Sequence, residues 1–249
     1  MKKLLAFDMD GTLALSKQPL DAEMGELLAQ LSKVAMVAVI SGGDWPQFEK
    51  QVVSRLPDEA DKAAIYILPT TGTKMYHWQD NQWTQLYADL FTEEEGQKIR
   101  TSLKEAVEEA GFAGEQTWGP QIEDRGSQVT FSALGQEAPL GPKDAWDHDR
   151  KKREKLQSIL QGKLPELSIN IGGATSIDIT RKGIDKAYGL RRLAELTGVA
   201  HEDILFLGDA IFPGGNDYPA KAMGLDTVRV RDVEETKAVL QGVIPCLKR

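Results

Sequence analysis

Leu4-Leu5-Ala6-Phe7-Asp8-Met9-Asp10-Gly11-Thr12 is the stretch that decides the fold. Four apolar residues in a row, without polar alternation, are what a strand buried on both faces of a parallel sheet looks like. Two carboxylates and a glycine follow at once. In open α/β sheets ligands bind beyond the carboxyl ends of the strands, so Asp8 and Asp10 stand where chemistry is commonly placed. Left alone the two would repel, and a divalent cation that prefers oxygen ligands, such as Mg2+, removes the conflict. One carboxylate can then attack phosphorus, and the other can serve the leaving group as general acid and base. Asp and Gly are also ordinary turn residues, so the pair by itself reads equally as a capped turn.

The same rhythm continues outward. Asp21 caps a helix with apolar positions Met24, Leu27, Leu28 and Leu31. Residues 34–40 read as a second buried strand. It stops at Ser41-Gly42-Gly43-Asp44, and a helix to about Leu56 follows, with Pro46 tolerated in its first turn. Residues 64–68 form a third strand, ended by Pro69-Thr70-Thr71-Gly72. The pattern returns late in the chain, with a helix over 184–197 and strands over 204–207 and 227–230. Strands alternating with helices predict a parallel sheet. Between these parts the chain is more polar. A helix over 93–110 stopped by Gly111, an alternating strand around Val129, Phe131 and Ala133 with one wet face, a charged helix over 147–160, and strands over 167–171 and 176–179 make an α+β pattern. The expected division is a discontinuous α/β domain, 1–81 with 183–249, and an inserted α+β domain, 82–182.

Composition sets the outer limits. The 249 residues are 41% hydrophobic and 27% charged, enough apolar material for a packed core. Thirty Lys and Arg against 38 Asp and Glu leave a formal charge of −8, unsuited to wrapping nucleic acid. A lone cysteine, Cys246, excludes an internal disulfide, and beside Pro245 it reads as a small packing residue. The longest apolar stretch, 34–40, falls far short of the ~20 residues a bilayer requires. The opening resembles a signal peptide only until Asp8 interrupts it. A cytoplasmic location, with no membrane or nucleic-acid partner, is expected.

Three more segments carry candidate chemistry. Gly208-Asp209-Ala210-Ile211-Phe212-Pro213-Gly214-Gly215-Asn216-Asp217 again follows an apolar strand, which puts Asp209 on the same sheet edge as Asp8 and Asp217 one loop further on. Both are candidate ligands for Mg2+; a Gly/Pro/Asn/Asp loop without a ligand is the plainer alternative. Ser41-Gly42-Gly43 can hold a phosphate oxygen by its hydroxyl and amides, although such a turn is usually only a turn. Lys186 falls in the first turn of a helix, where a cation is mildly unfavourable. It can neutralise Asp8 and a transferring phosphoryl group, yet on position alone an exposed lysine is the commoner outcome. Arg150-Lys151-Lys152-Arg153, flanked by Asp147, Asp149 and Glu154, reads as a solvated helix face. Trp78, Trp83, Trp118 and Trp146 are placed around the insertion, mostly as packing. The histidines His77, His148 and His201 lack metal-binding spacing.

Taken in order, Asp8-Met9-Asp10-Gly11-Thr12, Ser41, Lys186 and Gly208-Asp209 to Asn216-Asp217 resemble the four motifs of the haloacid dehalogenase superfamily of phosphoryl transferases, over the whole chain. The insertion resembles the type IIB (C2B) caps of that superfamily. Gln121 to Arg125, Ser132-Ala133-Leu134-Gly135, Ile171-Gly172-Gly173 with Ser176-Ile177-Asp178, Asp185-Lys186-Ala187-Tyr188 and Pro213 to Asp217 resemble the eukaryotic-type phosphomannomutase family. The resemblance implies a Rossmann-like parallel-sheet core with an α+β cap domain closing over a Mg2+ site. It implies that Asp8 carries an aspartyl phosphate and that Asp10 is the acid and base. Mg2+ would rest on Asp8, the Asp10 backbone carbonyl and Asp209, with Asp217 in support. Ser41, Gly42 and Lys186 would hold phosphoryl oxygens, Arg125 a distal phosphate, and Ser176 and Asp178 sugar hydroxyls.

The departures point away from a mutase. A mutase binds its substrate in two orientations and needs arginines for a second phosphate. Here Gln136 follows the Ser-x-x-Gly stretch where the mutase pattern has arginine, Pro142, Lys143 and Asp144 supply no other, and Lys17 stands for an arginine near the first motif. Each lost guanidinium–phosphate fork removes about 1.5–3 kcal/mol, which leaves water as the easier acceptor. The expected activity is hydrolysis of a sugar phosphate by a monomer or homodimer. Phosphomannomutase is the alternative, and an inactive phosphosugar-binding protein the third reading.

Overall fold

The computed structural model describes residues 1–248, and contacts divide the chain into two compact units, Met1–Ala88 with Asp185–Arg249 and Asp89–Ile184. In the first unit, β1 (Leu4–Asp8) is central. It pairs in parallel with β2 (Met36–Ile40) on one side and β10 (Ile204–Gly208) on the other. β3 (Ile65–Leu68) and β11 (Asp226–Arg229) extend the sheet in parallel. A hairpin of β4 (Lys74–Gln79) and β5 (Gln82–Ala88) completes seven strands in the order β11-β10-β1-β2-β3-β4-β5.

Alternation along β1 explains its unbroken apolar run. Leu5 and Phe7 join a core with Met24, Leu28 and Leu31 of α1 (Ala22–Ser32) and Leu240 and Ile244 of α8 (Val233–Leu247). Leu4 and Ala6 face the other way, against Leu190 and Leu193 of α6 (Lys186–Thr197). Asp21 caps α1 through the Met24 amide, as expected.

Three expectations need correction here. The helix after Asp44 is short, α2 (Trp45–Gln51), and only a 3-10 turn over Val53–Arg55 follows. The Gln51 carbonyl, which a longer helix would use internally, accepts the Leu20 amide instead. The boundary expected between residues 81 and 82 cuts the tip of the β4–β5 hairpin. The unit boundary falls after Ala88, because β5 pairs along its length with β4. Trp78 and Trp83 lie against each other in this hairpin, with Trp83 tilted against Trp45, and not in the insertion.

The second unit is a four-stranded antiparallel sheet, β6 (Ile122–Asp124), β7 (Gln128–Ser132), β9 (Ser176–Arg181) and β8 (Leu167–Ile171) in spatial order. Val129, Phe131, Ile177 and Ile179 pack against Ile99 and Leu103 of α3 (Glu93–Ala110) and Leu156 and Leu160 of α5 (Lys151–Lys163). Thr92 and Glu95 form a reciprocal capping box on α3, and Gly111 ends it. The wet face expected of β7 is absent, since Gln128, Thr130 and Ser132 are all buried. Arg153 likewise does not lie on a solvated face. Its guanidinium and the buried Asp147 carboxylate pair at 2.8 Å, and it also donates to the Gly173 carbonyl. Burial alone would raise the Asp147 pKa; the bonds from Arg153 and the Lys152 amide hold it below its usual value. Cys246 is exposed rather than packed. Among the described residues, no helix is long and apolar enough to cross a membrane.

Candidate active site

Asp8 ends β1 opposite Ile40 of β2, and Phe7 lies opposite Leu207 of β10. The three loops that follow β1, β2 and β10 therefore leave one edge of the sheet side by side, and each carries expected site residues. The first loop is tight. The Met9 carbonyl accepts the amides of Leu13 at 2.9 Å and Ala14 at 3.0 Å, and the Gly11 amide donates back to Ala14. Gly11 has φ +84°, and a Cβ there would lie 2.8 Å from Asp209 Oδ2. Glycine is thus required both by the backbone and by the carboxylate across from it.

Lys186 corrects the positional expectation. It begins α6 but is buried, and its ammonium donates to both Asp8 Oδ1 and Asp217 Oδ1. The other Asp217 oxygen accepts the Ala210 amide at 2.9 Å. Asp185 caps the helix through the Tyr188 amide, so the helix start is satisfied without the lysine. One oxygen from each of Asp8, Asp209 and Asp217 lies within 4.8 Å of the others.

The charges explain what this cluster fits. Burial raises the Asp8 carboxyl to about 7, against the pull of Lys186 and with a push from Asp217. Asp209 is raised by burial and by the charge of Asp217. Burial works against the Lys186 ammonium, but Asp8 and Asp217 outweigh it and hold it above the usual lysine value. With all three carboxylates ionised, they exceed the one ammonium by two negative charges. An all-oxygen donor set with that excess fits a hard divalent cation.

Ser41 follows Ile40 and is buried, with its hydroxyl 3.4 Å from the Gly43 amide and Gly42 between them. Asp10 stands apart from the acidic triad, where its carboxylate accepts the Lys17 amide at 2.8 Å. This leaves its expected metal contribution to its carbonyl. Lys17 itself is exposed and has φ 59°.

The remaining expected residues lie in the second unit, on adjacent strands. Asp178 faces Thr130 across β7 and β9, and Ser176 faces Ser132. Asp178 Oδ1 accepts from the Thr130 hydroxyl at 2.7 Å and the Gln128 amide at 3.1 Å, and the two serine hydroxyls lie 2.9 Å apart. Burial raises the Asp178 carboxyl, and these two donors pull against it. Arg125 pairs with Glu123 at 2.7 Å. Gln136 has a buried side-chain amide nitrogen without a partner among the described residues, and Lys143 Nζ is 3.4 Å from its carbonyl. Sequence reasoning missed Gln128, Thr130 and Glu123. The polar positions of β7 were the available signal, but they read as solvent-facing.

A family model described as eukaryotic phosphomannomutase matches residues 24–244. The chain is 28% identical over 222 residues to a phosphomannomutase of Encephalitozoon cuniculi, covering 87% of this chain and 83% of that protein. It is 28% identical over 217 residues to one of Spinacia oleracea, covering 85% and 83%. Among solved structures it is similar in fold to N-terminally truncated Plasmodium falciparum IMP-nucleotidase, with a TM-score of 0.72 at 16% identity, over 99% of this chain and 71% of that one. It is also similar to a haloacid dehalogenase-like hydrolase of Bacteroides thetaiotaomicron, with a TM-score of 0.64 at 16% identity, over 98% and 100%.

Proposed function

The chain belongs to the eukaryotic phosphomannomutase family, is an enzyme of the haloacid dehalogenase superfamily, and from that premise we propose that it hydrolyses a sugar phosphate through an aspartyl phosphate on Asp8. The observation that carries the phosphoryl-transfer reading is the Lys186 ammonium shared between Asp8 and Asp217, with Asp209 completing an oxygen cluster. Phosphoryl transfer needs positioning and charge neutralisation above all.

Asp8 attacks phosphorus, and the bond to the sugar oxygen breaks. Asp10 gives that oxygen its proton. It then takes a proton from water, which attacks the phosphorus and breaks the bond to Asp8, releasing inorganic phosphate. Lys186 and Ser41 hold the phosphoryl oxygens, with Gly42 keeping the loop close to them. Asp8, Asp209, the Asp10 carbonyl and Asp217 would hold Mg2+, which when bound neutralises charge on the transferring group. The unit Asp89–Ile184, in place of the expected 82–182, acts as the substrate-specificity domain. Arg125 serves a distal phosphate, and Ser176 and Asp178 recognise sugar hydroxyls, with Gln128 and Thr130 fixing Asp178. The reaction belongs in the cytoplasm and requires no nucleic acid or membrane.

Hydrolysis is favoured over isomerisation by the cap. Gln136 replaces a guanidinium with a neutral amide, and Arg125 already has a carboxylate partner in Glu123. The mutase reading draws on the relatives and on Lys143, whose ammonium reaches the carbonyl of Gln136. The test supplies mannose 1-phosphate and Mg2+, with and without a catalytic amount of a hexose 1,6-bisphosphate, and follows inorganic phosphate and mannose 6-phosphate together. Phosphate without the isomer is the expected result. Isomer formation that depends on the bisphosphate would replace this reading with the mutase.

A further inference from the structure

β3 runs into Pro69-Thr70-Thr71-Gly72, where three successive residues are left-handed: Thr70 at φ 48°, Thr71 at 60° and Gly72 at 82°. Left-handed residues normally occur singly, and β-branched side chains suit them least. Such an outlier persists only where its surroundings hold it, and it is the kind of strain found beside functional sites. Here the surroundings are explicit. Gly72 N donates to Pro69 O at 2.9 Å and Thr73 N to Thr70 O at 3.2 Å. The Thr73 hydroxyl donates to the Thr70 carbonyl at 2.8 Å and lies 2.6 Å from the Thr70 hydroxyl, all of it buried.

The left-handed turn points two successive amides at the loop after β2. Thr70 N donates to Gly43 O and Thr71 N to Ser41 O, both at 2.8 Å. The carbonyls on either side of Gly42 are therefore both fixed. The turn's other side meets α6, where Gly72 packs against Gly189, three residues after Lys186, so closely that a Cβ on Gly72 would overlap the Gly189 Cα. Tyr87 secures the Gly72 carbonyl from β5 at 2.6 Å.

We propose that the Thr70–Gly72 turn is a splint that sets the Ser41–Gly43 phosphate loop against the helix bearing Lys186, with Thr70 as its positioning residue. This rests on the reading that Ser41 and Lys186 hold a phosphoryl group. Thr70→Val keeps the shape but removes the locking hydroxyl. Misplacing the loop this way should lower kcat/KM for mannose 1-phosphate and weaken inhibition by inorganic phosphate about tenfold each. Mg2+ affinity measured by calorimetry should stay unchanged, since Asp8 ends β1 and Asp209 and Asp217 lie on the loop after β10. Thr70→Asn, which tolerates a left-handed backbone, should restore kcat/KM to within about threefold of the parent. Combined with Ser41→Ala, the Thr70→Val loss should be strongly non-additive, because the turn acts through the placement of the Ser41 hydroxyl that Ser41→Ala removes. If Thr70→Val does not accumulate folded, Thr73→Val removes the same hydroxyl pair, together with the Thr73 bond to the Thr70 carbonyl, from a residue of ordinary backbone and carries the same cycle. Losses that multiply independently, or kcat/KM unchanged in the Thr70 and Thr73 variants, would overturn the splint. Full activity in Asp8→Asn would instead remove the phosphoryl-transfer reading on which it rests.

Discussion

Replacing Lys186 with Met tests the electrostatic core of the site. The lysine side chain is 3% exposed and Asp217 is fully buried, so Lys186→Met leaves two carboxylates facing each other without a cation. Breaking a buried pair by deleting one partner costs about 3–5 kcal/mol. For a chain of this size that lowers Tm by about 6–20 °C. The cost must depend on pH. The Asp8 carboxyl is already raised to about 7 with Lys186 present, and without it goes higher. The folded variant then binds a proton that the unfolded chain has released, so its stability rises as the pH falls. Thermal unfolding without Mg2+, at pH 8 and at pH 5.5, is the assay. The deficit relative to the parent should be largest at pH 8 and smaller at pH 5.5, and Asp217→Asn in the same chain should recover part of it. Turnover should fall at least about a hundredfold, the usual loss for one donor to a reacting oxyanion. A loss under about 1 kcal/mol at pH 8, or an equal deficit at both pH values, would refute the reasoning.

Other outcomes follow from the same geometry. In the parent without Mg2+, the raised Asp8 makes stability fall as pH rises from its ordinary 3.8 toward 7, by at most about 1.4 kcal/mol per pH unit. Because Mg2+ competes with that proton, the Tm increase on adding MgCl2 should be larger at pH 8 than at pH 6; an equal increase would argue against Asp8 as a ligand. Gly11→Ala should weaken Mg2+ binding measured by calorimetry, since its Cβ would sit 2.8 Å from Asp209 Oδ2 on a left-handed backbone; unchanged affinity would dissociate Asp209 from the metal. Gln136→Arg restores a guanidinium to the cap and should increase bisphosphate-dependent mannose 6-phosphate formation relative to phosphate release by about 10- to 150-fold, the range expected for one charged hydrogen bond or fork. An unchanged product ratio would show that this position does not set the fate of the phosphoryl group.

The fold was legible wherever one physical signal acted alone. The apolar runs of β1 and β2 and the glycine stop of α3 mark their elements in the sequence. Competing signals hid the rest. α8 has Asp232 three residues before Glu235 and a helical stripe through Leu240, Ile244 and Leu247, but Pro245 inside it argues against a helix. The β4–β5 hairpin turns on Asp80-Asn81, both left-handed, a two-residue turn obscured by the polar residues around it. At the site, the strand-end placement of Asp8 and Asp209 was readable because it depends on local sequence. The burial of Lys186 was not, because it depends on two carboxylates brought from residues 8 and 217. The polar side chains of β7 were misread for a similar reason: Gln128 and Thr130 are buried on Asp178, some fifty residues away in sequence.

The measurement that tests the central claim most directly is acid quenching of the enzyme during turnover of mannose 1-phosphate with Mg2+, followed by mass spectrometry of the peptide that contains Asp8. One phosphoryl group on Asp8 in the parent, and none in Asp8→Asn with turnover abolished, is the predicted result. An unmodified Asp8 peptide during active turnover, or full activity in Asp8→Asn, would contradict the account.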